Sequence, residues 1–144
     1  MEGMREYFQR DALACHLGIE LVDVSPGTAV ARMTVGKHHC NSYGLVHGAA
    51  IFALADVAFQ AAANAYGTLA VALNVSITFV RPGGKGVLTA RAGEVSAGKT
   101  TANYDITVAN EEGKTVALFR GLVYRKGDPL PFAAPNTAPA DASG

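Results

Sequence analysis

Most of the chain alternates apolar and polar residues, the pattern of β-strands that bury one face. The clearest stretch runs from Leu69 to Phe79 and stops at Arg81-Pro82-Gly83-Gly84. Five further stretches are predicted as strands, namely residues 19–24, 28–35, 87–96, 101–108 and 115–124. Only short, turn-like segments separate the last three strands, so we expect antiparallel hairpins there.

One long segment breaks this alternation. From Gly48 to Ala63 every residue is apolar or glycine except Asp56 and Gln60. The alanine-rich composition predicts a helix over residues 48–65, and it should be buried on nearly all sides. The run is shorter than the roughly 20 residues of a membrane span. Two strands, this helix and four more strands predict an α+β fold, with an antiparallel sheet wrapped around one long central helix. A shorter helix is predicted within residues 7–17.

The 144 residues suffice for one domain, which we place at residues 1–127. The Pro- and Ala-rich segment 128–144 is predicted to be a mobile tail. Lys and Arg number 12 and Asp and Glu number 12, so no basic excess favours a nucleic-acid or membrane partner. No apolar leader follows Met1, and Cys15 and Cys40 do not form a disulfide framework. We therefore expect a cytoplasmic protein.

Two motifs point to other chemistries and are set aside. Residues 93–100 fit the phosphate-binding pattern GxxxxGK[ST], but an alternating strand follows where that loop needs a helix. We interpret the segment as a hairpin turn. His38, His39 and Cys40 are adjacent, so they would point in opposite directions on an extended chain, and no metal site is predicted.

Two features carry candidate chemistry. Asp56 lies in an apolar helix, where it fits either a catalytic base or nucleophile or a structural hydrogen-bond acceptor. The segment Asn41–Gly48 leads into the same helix, whose first N–H groups have no internal partner. A glycine there lets a ligand approach, so these groups could hold a carbonyl oxygen that gains negative charge. Alternatively the glycines only turn the chain, and Asn41 and His47 only brace the turn.

The stretch HCNSYGLVHGAAIFALADVAF, residues 39–59, resembles the signature of the PaaI-like hotdog-fold acyl-CoA thioesterases. The similarity continues through Asn74–Pro82 and Gly113–Tyr124 and covers residues 11–126. The resemblance implies a hotdog fold and hydrolysis of aryl-CoA, such as phenylacetyl-CoA, or of short-to-medium acyl-CoA. Ala49 departs from the pattern, which usually has a second glycine there. The first glycine is kept, so we expect the backbone donor to be kept.

By position, the resemblance implies that Asp56 is the catalytic carboxylate, acting as base on water or as nucleophile. It implies that the Gly48 N–H polarises the thioester carbonyl and that Asn41 orients the thioester or the water. The predicted substrate-binding residues are His47, which shapes the loop, Gln60, one helical turn past Asp56, and the pocket neighbours Tyr43 and Phe59. No metal or other cofactor is predicted.

The spacing of Gly48 and Asp56 bears on the assembly. Eight residues on one helix span about 12 Å along its axis, whereas donor and carboxylate must each come to about 3 Å from the reacting group. Two antiparallel copies of the helix meet this requirement, so we predict a homodimer with two shared sites. The family resemblance agrees, and it implies that the dimers pair into a homotetramer.

Two other functions fit the same residues. A non-catalytic acyl-CoA-binding module would bind the ligand without turnover. A hotdog-fold hydratase or dehydratase would pair His47 with Asp56 across the site.

Overall fold

The alternating segments form six strands and the apolar segment forms one helix in the computed structural model, which describes residues 3–132. The helices there are α1 (Met4–Phe8), α2 (Ala12–Leu17) and α3 (Gly48–Asn64). The strands are β1 (Ile19–Ser25), β2 (Thr28–Thr34), β3 (Thr68–Phe79), β4 (Val87–Ala97), β5 (Thr101–Ala109) and β6 (Thr115–Pro129). A turn of 3₁₀ helix, Lys37–His39, lies between β2 and α3.

The six strands form one antiparallel sheet in the order β1-β2-β4-β5-β6-β3. The helix α3 packs against all six strands, and the core lies between the helix and the concave face of the sheet. Alanine is the commonest buried core residue on both surfaces, so the helix and the sheet approach closely. The predicted α+β arrangement, a sheet around one long central helix, is confirmed.

Two elements near the limits of the described residues differ in extent from the predicted ones. The segment predicted as one helix over residues 7–17 forms two, because Asp11 caps the second helix by accepting a hydrogen bond from the Ala14 N–H at 3.0 Å. The strand β6 continues to Pro129, past the predicted start of the tail at residue 128. The Leu130 N–H then donates to the Gly67 carbonyl at 2.9 Å, and Phe132 is buried. Residues 133–144 of the predicted tail lie outside the described residues.

The motifs set aside above have structural roles. Residues 93–100 belong to the β4–β5 hairpin, where the Gly98 N–H donates to the Thr101 carbonyl at 2.7 Å. Both cysteines are free thiols. Residues 3–132 contain no group of three or more His, Cys, Asp or Glu side chains placed to hold a metal ion. In the same range, no helix is long and apolar enough to cross a membrane.

Candidate active site

The start of α3 presents a backbone donor. His47 precedes the helix in an extended conformation, and its Nδ1 accepts a hydrogen bond from the Ala49 N–H at 3.0 Å. The Ala50 N–H reaches the His47 carbonyl, also at 3.0 Å. The Gly48 N–H has no acceptor among residues 3–132. It therefore remains free to bind an oxygen at the positive end of the helix.

The loop before α3 is held by Asn41. Its Oδ1 accepts the N–H groups of Tyr43 and Leu45 at 3.0 and 3.1 Å, and its own N–H donates to the Leu45 carbonyl at 2.8 Å. Asn41 therefore braces the turn, which is one of the two roles that the sequence left open for it. The Nδ2 of Asn41 has no acceptor in the described part of the chain, so this amide group can still donate to a ligand.

His39, which the sequence analysis did not assign to the site, anchors this loop. Its ring is buried, and its Nδ1 accepts from the Gly36 N–H at 2.9 Å. The Nε2 therefore carries the proton, and it donates to the Leu17 carbonyl at 2.6 Å. The His39 carbonyl accepts the His47 N–H at 2.7 Å. Leu17 lies 22 residues from His39 in the sequence, so only the folded chain brings these two residues together.

Asp56 lies halfway along α3 and is half-buried. Burial raises the pKa of its carboxyl group above the ordinary value of 3.8. A hydrogen bond from Gln60 Nε2 to Asp56 Oδ2, at 2.6 Å, lowers that pKa, and the negative charge of Asp11 raises it. The net result is a carboxylate that binds a proton more readily than an exposed aspartate, which suits a general base.

The direction of α3 relative to β3 positions these groups. At its start, a Cβ atom on Gly48 would lie 3.1 Å from the ring of Phe79, the last residue of β3. At its end, Asn64 exchanges hydrogen bonds of 2.8 and 3.1 Å with the backbone of Ala70 near the start of β3. The helix and this strand are therefore antiparallel. Within one chain, Gly48 and Asp56 stay about 12 Å apart along the helix axis.

The predicted substrate-binding residues fall in different places. Gln60 contacts Asp56, and His47 caps the helix. Tyr43 is 84% exposed on the loop before α3. The side chain of Phe59 is fully buried, and its ring packs against Tyr104 and Phe119. It faces the sheet as a core residue.

The buried ring of Phe59 makes a stability prediction possible. A Cβ atom added at Gly121 on β6 would overlap three atoms of this ring, which has no room to move. We expect Gly121→Ala to lower the free energy of unfolding by about 1–3 kcal/mol. Gly93→Ala on β4 is the matched control, because nothing lies within 4 Å of its Cβ position. Urea denaturation of both variants measures the difference, and equal stabilities would contradict the prediction.

Comparisons with known proteins agree with this fold. Residues 43–117 match the thioesterase superfamily. The acyl-coenzyme A thioesterase PaaI of Escherichia coli is 45% identical over 121 residues, which are 83% of this chain and 86% of that protein. The structure of the E. coli PaaI protein from the phenylacetic acid degradation operon has a TM-score of 0.82 at 43% identity, covering 86% of this chain and 91% of that one. A hypothetical thioesterase of Streptococcus pneumoniae, solved with coenzyme A, has a TM-score of 0.79 at 27% identity, covering 85% and 97%.

These similarities define a class of hotdog-fold enzymes that cleave thioesters. The chain belongs to the thioesterase superfamily and, within it, to the PaaI-like hotdog-fold acyl-CoA thioesterases. The family predicted from residues 39–59 is therefore confirmed, and so is the assignment as a thioester hydrolase.

Proposed function

We propose that the protein hydrolyses the thioester of an aryl-CoA, such as phenylacetyl-CoA, or of a short-to-medium acyl-CoA, in sites shared by two copies of the chain. The observation that carries this proposal is the pair of groups on α3. A free Gly48 N–H lies at its start, and a half-buried Asp56 with a raised pKa lies at its middle. The names of the E. coli and S. pneumoniae relatives support an acyl-CoA substrate.

The groups divide the reaction between them. Water, deprotonated by Asp56, attacks the thioester carbon, or the carboxylate attacks it directly and water then releases the acyl group. The Gly48 N–H of the other copy binds the carbonyl oxygen as negative charge develops on it. The C–S bond breaks, the sulfur leaves as the thiol of CoA, and the acyl group leaves as a carboxylic acid. The hydrogen bond from Gln60 holds Asp56 in position, and Asn41 Nδ2 is placed to orient the thioester or the water.

The proposed dimer follows from two exposed features. The strand β3 is an edge of the sheet and exposes Val71, Leu73 and Phe79, and such an edge readily pairs with another strand. Phe52 is 36% exposed on α3, halfway between Gly48 and Asp56. Two antiparallel copies of α3 that bring Gly48 of one beside Asp56 of the other therefore cross near Phe52.

A charge at this crossing point should separate the subunits. In Phe52→Glu the two carboxylates would lie close together across the twofold axis, so we expect a monomer in sedimentation velocity. Activity should fall on the order of 100-fold, because each site loses its carbonyl donor. Leu13→Glu is the control, since it places the same charge at a side chain that is 61% exposed on the short helix α2. A Phe52→Glu monomer with full activity would contradict the shared site.

The direct test of the proposed function is a panel of CoA thioesters with detection of the free thiol. Release of CoA from phenylacetyl-CoA or a short-to-medium acyl-CoA supports the proposal. Tight binding of acyl-CoA without thiol release would favour the non-catalytic module. Loss of enoyl absorbance without thiol release would favour the hydratase that pairs His47 with Asp56.

We further propose that dimers pair into a homotetramer in the cytoplasm. The convex face of the sheet supports the tetramer, because Leu118 and Tyr124 are 50% and 41% exposed there. Free thiols at Cys15 and Cys40 fit a reducing compartment.

A further inference from the structure

Residues 39–47 form a loop that closes on itself before α3 begins. Three backbone contacts cross this loop, namely the hydrogen bond from the His47 N–H to the His39 carbonyl at 2.7 Å, the antiparallel bridge between Cys40 and Val46, and the hydrogen bond from the Asn41 N–H to the Leu45 carbonyl at 2.8 Å. Because these contacts join its two arms, loop 39–47 is braced as one unit. Gly48 follows directly at the start of α3, so the position of the loop sets the direction of the Gly48 N–H.

Two buried side chains attach loop 39–47 to the rest of the fold. His39 and Val46 are buried, whereas residues 42–45 are exposed. Val46 packs against Gly83, since a Cβ atom on Gly83 would lie 2.9 Å from Val46 Cγ2. That contact is apolar and does not fix a direction. Of the two buried side chains, only His39 forms hydrogen bonds, so its ring is the directional attachment.

The ring of His39 connects loop 39–47 to two other segments. Its Nδ1 accepts the Gly36 N–H at 2.9 Å, and its Nε2 donates to the Leu17 carbonyl at 2.6 Å. Gly36 is three residues away, so that bond is local, whereas Leu17 is the last residue of α2 and lies 22 residues away. A neutral imidazole has one donor and one acceptor, and both are used here. The bond to Leu17 therefore ties the loop to a separate part of the fold.

We propose that His39 is a positioning residue for the thioester reaction, because its hydrogen bond to Leu17 holds loop 39–47 where the Gly48 N–H meets the substrate carbonyl oxygen. The inference rests on the proposed function and adds to it a residue that does not touch the substrate. The connection runs from the His39 ring through the His39 carbonyl to the His47 N–H, and the next peptide N–H is that of Gly48. A donor stabilises the developing charge only at hydrogen-bond distance, so a displacement of about 1 Å costs on the order of 100-fold in rate.

The first test removes both hydrogen bonds of the ring. In His39→Leu, which keeps a buried side chain of similar size, we expect kcat for phenylacetyl-CoA per folded protein to fall about 10- to 100-fold. KM should stay within about threefold of wild type, because the lost interaction is made in the transition state. His16→Leu is the matched control, since it makes the same change at an exposed histidine on α2 and should keep kcat within about twofold. An unchanged kcat in His39→Leu would overturn the inference.

Two amide variants separate the two hydrogen bonds and decide the question if His39→Leu does not fold. The side-chain nitrogen of Gln lies as many bonds from Cβ as His39 Nε2, so His39→Gln keeps a donor for the Leu17 carbonyl. The side-chain oxygen of Asn matches Nδ1, so His39→Asn keeps only the acceptor for the Gly36 N–H. We expect kcat to be about tenfold higher in His39→Gln than in His39→Asn. Equal kcat values in the two folded variants would overturn the assignment to the Leu17 bond.

A double-mutant cycle tests whether His39 acts through Gly48. Gly48→Pro has no N–H at this position, so displacing the loop should no longer cost activity. We expect His39→Asn to lower kcat by less than about twofold in the Gly48→Pro background, against about tenfold in the wild-type background. Losses that multiply would show a merely structural role and overturn the inference. Absence of thiol release from every thioester by the wild type would instead refute the proposed function, and the inference with it.

Discussion

Asp56→Asn is expected to lower kcat/KM for phenylacetyl-CoA by about 100- to 10,000-fold, because the amide cannot accept the proton from water or form the acyl intermediate. Thiol release measures the loss. Asp23→Asn is the matched control, since it makes the same chemical change at an exposed carboxylate on β1. Full activity in Asp56→Asn would show that the reaction needs no carboxylate at this position.

The same substitution should make the fold more stable near neutral pH. The raised pKa means that the folded chain binds the Asp56 proton more tightly than the unfolded chain does. Ionisation of Asp56 therefore lowers the free energy of unfolding as the pH rises from the ordinary value of 3.8 through the raised folded-state value. Asn does not ionise, so the Asp56→Asn variant should have the higher free energy of unfolding at pH 7. The difference from wild type should shrink below pH 3.8. Urea denaturation at several pH values measures this difference, with Asp23→Asn as the reference. A stabilisation by Asp56→Asn that grows as the pH falls would contradict the prediction.

Gly48→Pro is expected to lower kcat by about 100- to 1,000-fold, because proline lacks the N–H that we assign to the carbonyl oxygen. The structure makes this variant practicable. Gly48 is the first residue of α3, where proline is favoured, and His47 before it is already extended, as a residue before proline prefers. The ring of Phe79, half exposed, would have to shift. Gly48→Ala shifts Phe79 in the same way and keeps the N–H. The difference in kcat between the two variants therefore measures the contribution of the Gly48 N–H.

Mixing two inactive variants tests whether the site is shared. Asp56→Ala lacks the carboxylate, and Gly48→Pro lacks the donor. In a mixed dimer, one site combines the intact Asp56 of one subunit with the intact Gly48 of the other. Random exchange makes half of the dimers mixed, each with one intact site, so activity should return to about a quarter of wild type. No recovery after exchange, verified by native mass spectrometry, would place both groups of a site in one chain.

The sequence predicted the fold well because the fold depends on local pattern. The alternation over Leu69–Phe79 and the apolar run over Gly48–Ala63 each favour one element strongly, and the structure has both. Helical spacing alone placed Gln60 near Asp56, and the two side chains are hydrogen-bonded. Such a contact can be predicted from sequence because it depends only on two residues that are one helical turn apart.

Features that depend on distant parts of the chain were not predictable in the same way. Phe59 is apolar and close to Asp56 in sequence, yet only the position of the sheet decides that it faces the core. His39 donates to the carbonyl of Leu17, and Phe132, which follows β6, packs on α1. No periodicity in one segment carries information about such a partner.

The rings of Tyr7, Phe8 and Phe132 pack together, so α1 is held beside the segment that follows β6. Because Phe8 also packs against the hydrophobic core, loss of either partner in this contact would expose apolar surface of the core.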